Sequence, residues 1–431
     1  MDETSVPAAT RPRPVAGFRW YICGLLFLAT TIAYVDRGVI AYLEKFLETT
    51  IGWNSIQYGY MTAGFQVAYA IGLVSAGHFT DVLGTRKGFA IAITLWSFAA
   101  MLPGAAHSAL AFGVALFILG LGESANFPAC IKTVAEWFPK SERALATGIF
   151  NSGSNVGTII VPLVVPVLTL TFGWRWAFVA TGATGLLWLV LWLWLYAKPE
   201  EHRSVSLREL AYIQSEREER VASVPWRRLI PKRETWAFSI GKFLTDPVWW
   251  FYLFWLPRYL QGTFHLSLTQ AEAPVVGVYV ISIAGSLGGG WIPAAFLKRG
   301  RTVNFSRKTA MLICALAVLP ILLAPYLHHV WLVVGLVGLA AAAHQGWSAN
   351  IFTIPSDTFP KAAVASVVGF GGMFGAIGGA LLQVATGYIV KATHSYVPLF
   401  IFAASAYLLA LLIIHLLTPR LEPAKLAAAH S

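Results

Sequence analysis

Runs of about 20 apolar residues recur along nearly the whole 431-residue chain, and no other feature constrains its fold as strongly. Each run is long enough to cross a hydrocarbon core of about 30 Å as a helix. In such a core every backbone N–H and C=O must be bonded within the protein, which a helix achieves by itself. Twelve stretches qualify, numbered here as spans 1 to 12 in chain order. The first six are Trp20–Tyr42, Tyr58–Phe79, Gly88–Ala106, Leu110–Val134, Ala144–Leu168 and Trp176–Ala197. The second six are Trp236–Leu260, Ala273–Leu297, Lys308–Tyr326, Trp331–Ile354, Ala362–Val390 and Val397–Leu417. Charged residues make up only 12% of the chain, against about 25% in soluble domains. A soluble enzyme, a disordered tail protein and a disulfide scaffold are all excluded. The chain reads as an all-α polytopic membrane protein.

The formal net charge of +11 is explained by topology. Of the 31 Lys and Arg, 24 fall on the face that carries both termini, four on the other face and three inside spans. Basic loops stay on the cytoplasmic side, so both termini are expected there. No nucleic-acid partner needs to be invoked. The N-terminal stretch 1–19 is polar and lacks the apolar core of a signal peptide, so span 1 is expected to act as its own insertion signal. Cys23, Cys130 and Cys314 sit in apolar stretches without metal-ligand spacing and read as small buried hydrophobes.

The chain repeats itself at an offset of 221 residues. Arg86-Lys87 follows span 2 and Arg307-Lys308 follows span 8; Phe138-Pro139-Lys140 ends span 4 and Phe359-Pro360-Lys361 ends span 10. Gly148 and Gly157 find Gly369 and Gly378 at the same offset. Two six-helix bundles related by duplication follow, at 20–197 and 236–417, joined by a charged linker at 198–235 and ended by a tail at 418–431. Ser206–Arg220 in the linker reads as a short surface helix with opposite charges four apart. Two such halves facing one another place a binding site near the membrane midplane, the geometry of alternating access.

After span 2 the chain reads Gly77-His78-Phe79-Thr80-Asp81-Val82-Leu83-Gly84-Thr85-Arg86-Lys87. This resembles the Gly-x-x-x-Asp-x-x-Gly-x-Arg-Lys signature of the major facilitator superfamily, and the resemblance implies that fold for the whole chain. Gly77 and Gly84 then serve close helix contact and a tight turn. The resemblance also implies a gating set of Asp81, Arg86 and Lys87, in which Asp81 can pair with basic groups across the halves to hold one conformation shut.

A narrower resemblance rests on Tyr34-Val35-Asp36-Arg37, on Gly122-Glu123-Ser124-Ala125-Asn126-Phe127-Pro128 and on Glu136-Trp137-Phe138-Pro139. These are similar to the anion:cation symporters. Gly148 to Gly153, Lys242 to Pro247 and Ala343-His344-Gln345 look most like the hexuronate transporter branch. The resemblance implies proton-coupled uptake of an organic anion such as galacturonate or glucuronate. It also implies Asp36 and Glu123 as proton carriers and Arg37 as the anion site. One departure stands out: relatives have an arginine seven residues before the glutamate, and this chain has Leu116.

The residues support the same roles on physical grounds. A charge at the centre of a membrane helix costs on the order of 2.5–3.5 kcal/mol, so each needs a reason. Asp36 lies well inside span 1, and its neighbour Arg37 points about 100° away round the helix, so each needs a partner elsewhere. Arg37 offers a planar fork for a carboxylate. Glu123 sits among glycines that admit close packing. Tyr34 and Tyr69 present hydroxyls, and Asn151, Asn155, His344, Gln345, Ser348 and Asn350 present further polar groups that a polyol requires or that glue helices together.

With Leu116 in place of a cation, Lys242 is the candidate second anion holder. It stands four residues before Asp246, so the two can pair on one face beside the hinge at Pro247, where Asp246 reads as a gating residue. A purely structural pair fits the same spacing. Arg258, at 221 residues from Arg37, reads as a helix-end arginine.

No Gly-x-x-x-x-Gly-Lys-Ser/Thr stretch is present, so no ATP-driven pump is encoded. No cofactor, metal cluster or nucleophile–base pair is expected either, which argues against an enzyme. The expected partners are a small organic anion, protons and the lipid bilayer. The chain is expected to work as a monomer in a bacterial inner membrane. An aldonate, an aldarate or an aromatic acid fits the same residue types as a hexuronate, and a nontransporting sensor on this fold is the remaining alternative.

Overall fold

Helix ends follow local chemistry. Span 1 stops where Gly52 takes a left-handed conformation (φ 86°) and donates its N–H to the Glu48 carbonyl. Span 2 begins at Asn54, whose side chain caps Ile56 and Gln57 while the Gln57 side chain returns to the Asn54 N–H. In the computed structural model, which describes residues 17–215 and 224–424, the first bundle comprises Arg19–Ile51, Ser55–Leu83, Thr85–Met101, Ala109–Glu123 with Asn126–Trp137, Lys140–Phe172 and Trp174–Leu195. The second comprises Arg233–Thr263, Glu272–Lys298, Val303–Val318, Val330–Ile351 with Thr353–Thr358, Lys361–Thr393 and Val397–Leu417. Spans 3 and 9 each finish in a proline-containing 3₁₀ turn, Leu102–Ala105 and Leu319–Tyr326.

Ten of these spans are long and apolar enough to cross a membrane by composition. Spans 2 and 7 have the length, 29 and 31 residues, but are more polar. Both pack against the opposite bundle, where Gln66, Lys242 and Arg258 are buried in protein and kept from lipid. The expected twelve-span architecture therefore stands on length, while the two polar spans mark the interior seam.

The duplication is visible in packing. Span 1 packs on span 5 as span 7 does on span 11, and span 2 on span 4 as span 8 does on span 10. The closeness comes from glycine: a Cβ on Gly157 would meet the Thr31 carbonyl at 2.6 Å, and one on Gly378 would meet the Phe243 carbonyl at 2.3 Å. Pro139 and Pro360 open spans 5 and 11 with φ/ψ of −62°/154° and −63°/151°. Between bundles, span 2 meets span 11 and span 5 meets span 8, with span 1 against span 7.

Spans 4 and 10 are broken, which the unbroken sequence stretches did not foretell. Pro128 has no N–H to donate to Ser124, and Pro355 none for Ile351; span 4 breaks at Ser124 and Ala125, and span 10 at Phe352. Besides the short helix Trp226–Leu229, the linker forms the helix Leu207–Gln214, and positions 216–220 of the expected helix lie outside the described residues. Its Glu209 accepts from the N–H groups of Phe18 and Arg19 at 3.1 Å each, which pins it to the start of span 1.

Candidate functional site

Span 1 carries Arg37 into the seam between the bundles, where it is only 2% exposed. Its Nη2 lies 2.5 Å from Glu123 Oε2, and Glu123 comes from the broken end of the first half of span 4. Four rings surround the guanidinium: Tyr34 at 4.4 Å, Phe65 at 5.4 Å, Trp250 at 5.5 Å and Tyr69 at 5.6 Å from centroid to Cζ. Trp250 belongs to the second bundle, so this cation is held by both halves. Aromatic faces attract a desolvated cation by about 2 kcal/mol or more, yet Arg37 Nε and Glu123 Oε1 make no hydrogen bond.

Asp36 is buried beside this pair, with both carboxyl oxygens outside hydrogen-bond geometry and the Thr181 hydroxyl as a neighbour. One cation therefore serves two buried acids. Leu116, the departure noted in the sequence, is packed into the core. Without a second arginine on span 4, Glu123 takes Arg37 as its partner.

The second bundle supplies a further ion pair. Lys242 Nζ lies 2.7 Å from Asp246 Oδ2 and 4.1 Å over the Phe352 ring. His344 shares a 2.8 Å hydrogen bond with the Tyr407 hydroxyl and stacks on Trp249 at 5.2 Å. The Trp249 indole lies against the Tyr34 hydroxyl, so the two clusters meet at Tyr34. Gln345 donates to Asn155 across the seam at 3.4 Å.

Other sequence candidates are placed differently. Asn350 spends its amide donors on the carbonyls of Gly289 and Gly346, at 2.8 and 2.9 Å, and so holds spans 8 and 10 together. Asn151 is exposed and Ser348 half-buried; neither joins the Arg37 cluster. Gly84 has φ 75° at the tight turn before span 3, a conformation that favours glycine. Arg86 donates to the Leu193 carbonyl at 2.5 Å, within its own bundle, and Lys87 is exposed. Gly77 and Asp81 fall outside the residues whose surroundings are described.

Two features escaped the sequence reading. Arg258 is buried and bridges to Glu44 and, at 3.0 Å, to Glu48, both on the opposite bundle. It is a link between the halves, and reading it as a helix-end arginine is corrected. Its signal was present in the spacing of Glu44 and Glu48, one turn apart, but span 1 runs to Ile51, past the expected end at Tyr42. Gln66 is fully buried at the seam with neither amide atom bonded, one residue from Phe65 of the Arg37 cage.

Around Arg258 the halves are stitched together. Tyr42 donates to the Leu268 carbonyl at 2.7 Å, Tyr58 to that of Phe254 at 2.8 Å and Gln261 to that of Tyr42 at 3.1 Å. Among the described residues, the hydrogen bonds between bundles gather on the face away from the chain termini, apart from the Asn155–Gln345 contact. Two duplicated bundles, bonded to one another on one face and enclosing a buried charge cluster, are the architecture of a membrane transporter.

A sequence model of the Major Facilitator Superfamily matches residues 26–381. The chain belongs to that superfamily. A Bacillus subtilis protein named a probable galactarate/D-glucarate transporter is 31% identical over 95% of this chain and 93% of its own length. The hexuronate transporter of Escherichia coli K12 is 28% identical over 93% of this chain and 94% of its own. The relatives place the chain in the sugar-acid branch. Among solved structures, a D-xylose-proton symporter superposes with a TM-score of 0.72 at 16% identity, covering 92% of this chain and 97% of that one. A bacterial homolog of the human lysosomal transporter Spinster, in an inward-facing and occupied conformation, gives 0.69 at 17% identity, covering 94% and 96%. At these identities the likeness is one of fold.

Proposed function

We propose that this protein imports a sugar acid by proton symport across the bacterial inner membrane. The observation that carries the reading is one caged arginine, paired with a buried acid at the seam between the bundles. The incoming carboxylate and Glu123 compete for the same guanidinium. A proton on Glu123 neutralises it and frees Arg37 for the substrate, so anion binding and proton binding support each other. Asp36, buried alongside with no cation closer than the shared Arg37 among the described residues, is the second proton carrier. Gln66, Asn155, Gln345 and His344 are the candidates for bonds to sugar hydroxyls, with Tyr34 and Tyr69 walling the site.

Both termini are read as cytoplasmic, from the basic loops. The stitched face is then the outer one, and this conformation is shut to the outside. Two buried pairs form parts of one cycle: Arg258 with Glu44 and Glu48 holds the outer side, and Arg37 with Glu123 couples the cargo. Uptake of radiolabelled galacturonate, galactonate and galactarate into proteoliposomes tests the reading. Accumulation of at least one sugar acid, dependent on an imposed pH gradient, is expected. Gradient-independent equilibration would remove the symport, and no uptake of any sugar acid would remove the function.

A further inference from the structure

The linker returns to the membrane as a short turn ahead of span 7, and the turn is firmly held. Leu229 is buried, and its carbonyl accepts from the Thr235 hydroxyl at 2.7 Å and from the Lys232 N–H at 3.0 Å. The Trp236 indole donates to the Ile230 carbonyl at 2.9 Å. These bonds fix Trp226–Leu229 against the start of span 7 and leave Trp226, Arg227, Arg228, Ile230 and Arg233 exposed. Arg233 has Glu234 at 3.7 Å, whereas Arg227 and Arg228 have no acidic partner among the described residues.

The turn lies on the lipid-facing side of the second bundle. The Trp226 ring stands edge-on to Phe370 at 5.6 Å, and Trp236 covers Phe370 and Phe374 at 5.8 and 5.4 Å. On span 11 those phenylalanines share a face with the exposed Ile377, Leu381 and Tyr388, at helical spacings of three, four and seven. An exposed apolar stripe of this kind meets acyl chains. Depth agrees with that placement. Span 11 has 33 residues, about 50 Å, so a hydrocarbon core of about 30 Å leaves about 10 Å of helix beyond each boundary. Phe370 stands nine residues in from Lys361, about 14 Å, close to the boundary on the side of the termini. Trp226 is therefore at headgroup level, where indole rings settle.

Keeping the linker on the cytoplasmic side requires basic residues but no fixed geometry, whichever way they point. Here two unpaired guanidinium groups are held beside an exposed indole at the depth of lipid phosphates. A guanidinium grips a phosphate through two parallel hydrogen bonds. We infer that Trp226, Arg227 and Arg228 seat the phosphate headgroup of an anionic phospholipid of the cytoplasmic leaflet. The seat is separate from the Arg37 cluster and stands whatever the cargo is.

Titration of phosphatidylglycerol onto the detergent-purified full-length protein, followed by native mass spectrometry, tests this, with phosphatidylcholine as the zwitterionic reference. The wild type is expected to hold phosphatidylglycerol the more tightly. Arg227→Gln with Arg228→Gln should weaken it about thirtyfold, the scale of two basic side chains at an anionic surface. Arg299→Gln with Arg301→Gln, exposed in the loop after span 8, removes the same charge elsewhere and should leave the affinity nearly unchanged. Equal losses from the two pairs would make the preference a matter of overall charge and overturn the inference. Equal binding of the two lipids by the wild type would overturn it as well. Should the first double variant fail to insert, Trp226→Ala decides. It keeps every charge and should weaken phosphatidylglycerol severalfold, and an unchanged affinity would remove the seat.

Discussion

The Arg258 guanidinium reaches Glu48 at 3.0 Å and Glu44 beside it, tying span 7 to span 1 across the two bundles. Breaking a buried charge pair by removing one partner costs about 3–5 kcal/mol, because the remaining charges stay uncompensated. Arg258→Gln should therefore open the stitched face. Tyr60 and Tyr388, whose hydroxyls meet at 2.9 Å on that face, report it. With Tyr60→Cys and Tyr388→Cys in place, cross-linking by a short bifunctional maleimide should fall severalfold when Arg258→Gln is added. An unchanged yield would reduce Arg258 to a local packing role.

A second prediction concerns the caged arginine. Lysine keeps the charge but loses the planar fork and the stacking on Tyr34 and Trp250. Arg37→Lys should raise KM for the preferred sugar acid at least tenfold. Neutral sugars should not compete with it. Equal KM in the lysine variant would show that Arg37 holds the structure and not the substrate.

The acids offer a third. Asp36→Asn combined with Glu123→Gln removes both proposed proton carriers while keeping side-chain volume. Accumulation against a gradient should disappear, while exchange of labelled for unlabelled substrate persists at a reduced rate. Concentrative uptake at the parental level would sink proton coupling through these residues.

Packing supplies a fourth. Gly157→Ala forces a methyl to within 2.6 Å of the Thr31 carbonyl, whereas Gly148→Ala meets nothing within 4 Å. Overpacking of a tight contact costs about 1–3 kcal/mol. Gly157→Ala should lower the unfolding temperature in detergent by several degrees, and Gly148→Ala should leave it where it is. Equal melting of the two would remove the close span 1–span 5 contact as a source of stability.

The sequence alone determined the spans, the duplication and one ion pair. Apolar length, the positions of basic loops and a constant offset are properties of neighbouring or repeated residues, so they are legible before any folding. Lys242 and Asp246 belong to the same class, since four residues on a helix bring side chains together whatever the tertiary structure. The repeat also set His344 opposite Glu123, 221 residues on, but gave no hint that one would meet an arginine and the other Tyr407. Span 4 looked continuous because Pro128 acts through a carbonyl four residues back, and only its neighbours decide whether the helix bends or breaks.

The tertiary structure decided the partners. Arg37 meets Glu123 and Trp250, and Arg258 meets Glu44 and Glu48, because each helix is rotated and tilted by its packing. Glycines 157 and 378 let spans 5 and 11 sit closely on spans 1 and 7, and that approach sets which side chains reach the seam. Periodicity says that a residue lies on a helix and on which face of it. Which other helix that face meets depends on contacts summed over the whole bundle, and no local stretch of sequence contains that sum.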